Sequence, residues 1–173
     1  MTRLKGERCT LRRWRRGDEQ SLVKQANDHE IWRNVTDRFP YPYLQQHAEE
    51  WIDQCELERG PLSTFAIEVD NAAVGAIGLE LKDDIYSKTA EIGYWLGRTY
   101  WGRGILTEAV GLVTAHGFAA FALVRVQGAV YDWNPASGRV LEKNGYMLEG
   151  RFRKGYFKDG LIGDLLIYSR VLD

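Results

Sequence analysis

One segment narrows what this chain can fold into more than any other. Glu91-Ile92-Gly93-Tyr94-Trp95-Leu96 alternates like a strand. Gly97 through Gly104 makes a glycine-bearing loop, and apolar residues then recur at helical spacing from Ile105 to Phe121 (Leu106, Ala109, Val110, Val113, Phe118, Phe121). A strand that runs through such a loop into a helix aims backbone N–H groups, and the positive end of a helix dipole, at one point. Gly102 and Gly104 permit close backbone approach to an anion, and Arg103 adds a mobile positive charge. The arrangement suits a pyrophosphate. The nucleotide-binding pattern GxxxxGK[ST] is absent, and the dinucleotide fingerprint fails because Thr107 stands where its third glycine belongs.

The remaining pattern supplies the elements around this segment. Cys9 to Arg13 reads as an opening strand, and Asp18 to Asn27 as a helix capped by Asp18. Phe39-Pro40-Tyr41-Pro42-Tyr43 is a loop, because two prolines remove donors and fix the backbone. His47 to Arg59 is a second helix, ended by Gly60-Pro61. Thr64 to Val69 and Val74 to Leu81 are strands joined at Asp70-Asn71, and Ala90 to Leu96 is the third of that group. After the long helix come a strand (Val124 to Tyr131), a helix (Pro135 to Asn144, ended by Gly145) and a hairpin. The hairpin joins Leu148–Tyr156 and Leu165–Val171 across Lys158-Asp159-Gly160. This order of strands and helices predicts an α/β fold with a mixed sheet.

Composition excludes several functional classes. A length of 173 residues fits one domain, 1–173, with 45% hydrophobic and 27% charged residues. A net charge of −1 gives no electrostatic case for nucleic acid. No apolar run has the length of a membrane span, and the N-terminus carries no apolar signal core. Cys9 and Cys55 suggest no disulfide framework, so a cytoplasmic location is the expectation. His29, His47 and His116 are scattered without ligand spacing, and no metal is expected.

A second motif decides which pyrophosphate ligand to expect. Asn134-Pro135-Ala136-Ser137 opens the second late helix, and Glu142-Lys143-Asn144-Gly145-Tyr146 closes it. Together with Ala90 to Leu96, Tyr100-Trp101-Gly102-Arg103-Gly104 and Thr107-Glu108-Ala109, these stretches resemble the GCN5-related N-acetyltransferase (GNAT) superfamily. Within it they resemble the RimJ/RimL type of ribosomal-protein N-terminal acetyltransferase. The resemblance runs from Thr10-Leu11-Arg12 to Asp164. It implies a seven-stranded mixed sheet splayed between its fourth and fifth strands, with helices on both faces, and acetyl-CoA as cosubstrate. The pantetheine arm would lie at Trp95 and Leu96, and the pyrophosphate on Trp101, Gly102, Arg103, Gly104, Ile105, Leu106 and Thr107, with Asn134 and Arg139 as further contacts. Two positions depart from the superfamily's loop pattern, (Gln/Arg)-x-x-Gly-x-(Gly/Ala). Trp101 stands at the first, as is common in this branch, and Leu106 puts a bulkier side chain at the last.

Amide formation from a thioester needs a proton acceptor for the amine and benefits from a donor at the leaving sulfur. Glu91 is the candidate base. The competing reading pairs it with a cation on a neighbouring strand. The resemblance gives Ser137 a donor or pantetheine-contact role, since Leu141 occupies the position where many superfamily members carry a tyrosine. Tyr146 and Tyr131 are the next hydroxyls in line. Trp32, Asn34, Tyr41, Tyr43, Tyr94 and Tyr131 are candidates for the acceptor pocket, although each aromatic has an ordinary core alternative. The expected activity is transfer of acetyl from acetyl-CoA to a primary amine, on a protein N-terminus or a small molecule. The alternative is a non-catalytic acetyl-CoA sensor or regulatory module. Oligomeric state stays open, a homodimer included.

Overall fold

The computed structural model describes residues 2–172; Met1 and Asp173, the ends of the expected single domain, lie outside the described residues. The strands are β1 (Arg3–Lys5), β2 (Thr10–Arg12), β3 (Thr64–Val69), β4 (Ala72–Leu81), β5 (Thr89–Leu96), β6 (Arg125–Tyr131), β7 (Met147–Lys158) and β8 (Leu161–Val171). The helices are α1 (Glu19–Ala26), α2 (His29–Trp32), α3 (Gln45–Leu57), α4 (Ile105–Phe121) and α5 (Pro135–Glu142). All eight strands join one sheet in the order β1-β2-β3-β4-β5-β6-β8-β7. Every neighbouring pair is antiparallel except β5–β6. The α/β fold with a mixed, splayed sheet is therefore present, with one short edge strand, β1, beyond the expected seven.

Each face of the sheet buries its own set of side chains, because successive residues of a strand point to opposite faces. Phe65, Ile67, Ile77, Ala90, Ile92 and Leu96 pack with Ala109, Val110 and Val113 of α4 and Leu141 of α5. Ala66, Ala73 and Ala76 face the other way, toward Leu22 and Ala26 of α1 and Ala48, Ile52 and Cys55 of α3. Small alanines on that second face let α1 and α3 lie close to the strands, with Trp14 filling the space between them.

Two helices differ from the sequence reading in addition to the extra strand β1. Asp18 stands at the start of α1 but makes no side-chain cap. Its carboxylate takes two hydrogen bonds from Arg12, at 2.7 and 2.9 Å, and one from the Arg15 N–H at 3.1 Å. A buried guanidinium needs that pairing more than the first turn of a helix needs its cap. The four-residue helix α2 was not foreseen, being too short for a periodic signal. Its Asp28 cap, which accepts from the Glu30 N–H at 2.9 Å, is its one local mark.

The N-terminal hairpin is tied to the start of α4 by one carboxylate. Glu108 Oε1 accepts from the Glu7 N–H at 2.8 Å, while Oε2 accepts from the Arg8 and Cys9 N–H groups at 2.8 and 3.0 Å. Burial pushes the Glu108 pKa up, but the N–H groups of Arg8, Glu7 and Cys9 outweigh it and hold the carboxyl below its usual range. A folded pKa below the unfolded value stabilises the protein above the unfolded pKa and loses that contribution as pH falls through the folded one. Glu108→Ala should therefore lower stability at pH 7 by about 1–2 kcal/mol, a figure discounted from three charged hydrogen bonds because the site is partly wet. The difference from wild type should shrink below about pH 4. Urea unfolding at a series of pH values measures both effects; a pH-independent difference would contradict the assignment.

Candidate active site

The parallel pair β5–β6 holds for only three rungs: Thr89–Arg125, Ala90–Val126 and Glu91–Gln127. Beyond Glu91, β5 stays paired with β4 as far as Leu96, and β6 stays paired with β8 as far as Tyr131. The two strands thus part without fraying, and each turns an unpaired edge toward the gap. Backbone groups on such an edge are available to an extended ligand. A cleft of ≈ 380 Å³ opens there.

Four segments wall this cleft. The α2 region contributes Glu30, Ile31, Asn34 and Val35, and the end of β5 contributes Tyr94, Trp95 and Leu96. The glycine loop and first turn of α4 contribute Tyr100 to Thr107. The helix α5 with its two flanking residues contributes Asn134, Ala136, Ser137, Arg139, Val140 and Lys143.

The loop has the geometry that its glycines imply. Gly102 and Gly104 sit at φ +73° and +75°, in the left-handed region that side chains with a Cβ rarely adopt. Gly104 precedes α4 and brings no side-chain cap, so the first N–H groups of the helix lack side-chain acceptors among the described residues. Trp101 at the loop's first position has a structural reason. Its indole N–H donates to the Leu96 carbonyl at 2.7 Å and ties the loop back to the end of β5. Leu106 packs against the core while also lining the cleft, so its bulk is absorbed beneath the loop. Arg103 lies 5.4 Å from the Tyr100 ring, and Arg139 and Lys143 add two more cations to the lining.

Asn134 and Ser137, three residues apart at the start of α5, have different partners. Asn134 caps α5, its Oδ1 accepting from the Ser137 N–H at 3.4 Å. That long bond uses only the oxygen and leaves the amide N–H₂ able to donate. Ser137 is not a backbone cap: its hydroxyl lies 2.8 Å from the Tyr94 hydroxyl, across the gap between β5 and α5. Burial pushes the Tyr94 pKa up to about 12, against a smaller lowering by the bond to Ser137.

Several sequence candidates stand away from the cleft lining. Glu91 points, with Trp95, to the α1–α3 face of β5 and lies 3.6 Å from Lys82 Nζ, the cation partner that the competing reading envisaged. Tyr43 is 5% exposed, packed in the core with Phe39 and His47. Trp32 and Tyr41 stack on each other at 5.7 Å, and Tyr131 donates to the Val35 carbonyl at 3.3 Å from behind the α2 wall. Tyr146 is buried, with its hydroxyl 2.7 Å from that of Thr114. Of the six acceptor candidates, the cleft lining holds Asn34 and Tyr94. It also holds Glu30, Ile31 and Val35, which sequence reasoning missed because α2 has too few residues to show a period.

The Acetyltransferase (GNAT) domain model matches residues 8–147. The chain belongs to the GNAT family of N-acetyltransferases. Among its relatives is the SPbeta prophage-derived uncharacterized N-acetyltransferase YokL of Bacillus subtilis, 32% identical over 95% of this chain and 90% of that one. Another is the ribosomal-protein-serine acetyltransferase of Escherichia coli, 31% identical over 67% of this chain and 64% of that protein. Among solved structures, Mycobacterium smegmatis RimJ in complex with a coenzyme A disulfide superposes with a TM-score of 0.81, at 25% identity over 98% of this chain and 86% of that one.

In this acetyltransferase, the orphan N–H groups behind Gly104, together with Arg103, Arg139 and Lys143, fit the phosphates of coenzyme A, and the open edge of β5 fits its amide-bearing arm. Gly104→Ala should test the loop. A Cβ there meets Arg8 Nε at 3.3 Å and also strains a left-handed backbone. Relief of about 1–2 kcal/mol of strain by the empty loop, which binding would have to restore, predicts a roughly tenfold loss of coenzyme A affinity by titration calorimetry, with the fold retained by circular dichroism.

Proposed function

We propose that the cleft carries out direct acetyl transfer from acetyl-CoA to a primary amine, with Ser137 donating a proton to the departing sulfur. The observation that carries this reading is the Ser137 hydroxyl, presented at the parted strands and engaged by Tyr94 alone among the described residues. Acetyl-CoA supplies an activated acyl carbon. The chain's own groups must align the amine with it, exclude water and move two protons. The amine nitrogen forms the new C–N bond as the C–S bond breaks. The nitrogen's proton leaves through a carboxylate, the sulfur gains one from Ser137, and Ser137 recovers one from solvent. In this scheme Trp95, Leu96 and Asn134 hold the pantetheine arm, and Trp101 to Thr107 with Arg139 hold the phosphates.

Two carboxylates are candidates to receive the amine's proton. Glu91 stands at the last rung before the strands part, on the α1–α3 face, and fits transfer through a water molecule. Glu30 supports a second reading, because it lines the cleft itself beside Asn34. The acceptor is then a small amine or a peptide N-terminus entering from the α2 side, past Asn34 and Tyr94. Trp32, Tyr41 and Tyr131 shape the outside of that wall, and Tyr43 supports it from the core. The name of the Escherichia coli relative makes ribosomal-protein N-termini the first peptides to try. Two buried free cysteines, Cys9 and Cys55, suit a reducing cytoplasm.

Coenzyme A thiol release, measured over a panel of amines and N-terminal peptides, tests the activity. Stabilisation by coenzyme A with no release on any acceptor would favour the sensor reading instead. With an acceptor in hand, Glu91→Gln should lower kcat about 10²-fold if Glu91 is the base. Should Glu91→Gln leave kcat intact while Glu30→Gln lowers it by that factor, the base is Glu30.

A further inference from the structure

The Tyr94–Ser137 contact joins two hydroxyls, and the chemistry of each favours one direction for it. Tyr94 lies on β5 with its ring against the core beneath α4, and its hydroxyl reaches the first turn of α5. Ser137 Oγ is 2.8 Å away and the Ser137 carbonyl oxygen is 3.3 Å away. Either hydroxyl can donate across the short contact; a phenol is the stronger donor and the weaker acceptor of the two, which favours the arrangement with the Tyr94 O–H on Ser137 Oγ. In that arrangement the single proton of Ser137 has no acceptor among the described residues and is free to point into the cleft. The Ser137 N–H donates to Asn134, and among the described residues Tyr94 is the one group bonded to the Ser137 hydroxyl.

We infer that Tyr94 is a positioning residue for acetyl transfer: it occupies a lone pair of Ser137 Oγ and thereby turns the Ser137 proton toward the leaving sulfur. The inference rests on the donor role proposed above for Ser137. In the step itself, the C–S bond breaks, the Ser137 proton moves to sulfur, and the oxygen left behind is stabilised by the hydrogen bond from Tyr94 until solvent returns a proton. Burial helps, since it keeps the phenol protonated well above the pH at which an amine acceptor works. Tyr94 transfers no proton of its own. The ring's packing places the hydroxyl, and the hydroxyl places the serine.

The test is a mutant cycle read as kcat and affinity separately. Tyr94→Phe keeps the ring and removes one oxygen. It should leave the coenzyme A dissociation constant within about twofold and lower kcat roughly tenfold, the scale of one oriented hydrogen bond. Ser137→Ala should lower kcat about 10²-fold. The double variant should be no slower than Ser137→Ala, because Tyr94 acts only through Ser137. Equal losses from Tyr94→Phe in the presence and absence of Ser137 would overturn the inference and leave the Ser137 role standing. An unchanged kcat for Ser137→Ala would overturn the donor role itself. Should Tyr94→Phe not fold, a ring-fluorinated tyrosine at position 94 lowers the phenol pKa. The alkaline limb of kcat should then move to lower pH, and an unmoved profile would also overturn the inference.

Discussion

The three-rung pairing of β5 with β6 is the interaction on which the rest of the molecule turns. It is the single parallel contact among the described residues, and parallel pairing is the less stable kind per residue. Both strands are held by antiparallel neighbours, β5 by β4 from Ala90 to Leu96 and β6 by β8 from Arg125 to Tyr131. The sheet can therefore open in the middle without losing order on either side. The first turn of α5 then lines the opening, where Ser137 meets Tyr94. A ligand-sized opening in the centre of a sheet would otherwise expose unpaired backbone to no purpose.

The two sides of the opening are braced by different means. On the β5 side, Trp101 returns the glycine loop to the Leu96 carbonyl, and Glu108 fastens the N-terminal hairpin to the helix that follows the loop. Arg8 extends that brace, with its guanidinium 3.4 Å from the Arg103 carbonyl. Further from the site, Arg12 is buried between Asp18 and Glu68, and Arg3 adds a 2.6 Å pair to Glu68. Such a network adds little net stability but fixes how β2, β3 and the start of α1 register with one another. On the β6 side, Lys158 bonds Asp37 at 2.6 Å and sits 3.6 Å from the Trp32 ring, joining the β7–β8 hairpin to the α2 wall.

Much of the architecture was legible because it depends on local rules. β3 and α4 run over the residues that the pattern assigned to them, since alternation and 3.6-residue spacing speak directly to one-sided burial. The turn at Asp70-Asn71 has positive φ at both residues, as a two-residue hairpin turn requires. The glycine loop was legible for the same reason: left-handed φ at Gly102 and Gly104 is a demand that a single residue meets. What failed locally did so for a named cause. Asp18 looked like a cap and became the partner of a buried arginine. The helix α2 has too few residues to carry a period, and with it the α2 wall of the cleft went unseen.

By itself, then, the sequence determined the elements, the phosphate-fitting loop and the motifs that place the chain among the acetyltransferases. All of these rest on contacts between residues near in the chain. Only the tertiary structure decided which side chains share the cleft. Alternation put Glu91 and Tyr94 on opposite faces of β5, but nothing along the chain could say that the face of Tyr94 meets α5. Aromatic residues look alike in a sequence whether they line a pocket or fill a core. Tyr43 is buried in the core, Tyr131 stands behind the α2 wall and Tyr94 reaches Ser137. The difference lies in how two halves of a parted sheet are packed against one another, and that packing is set by long-range burial rather than by local preference.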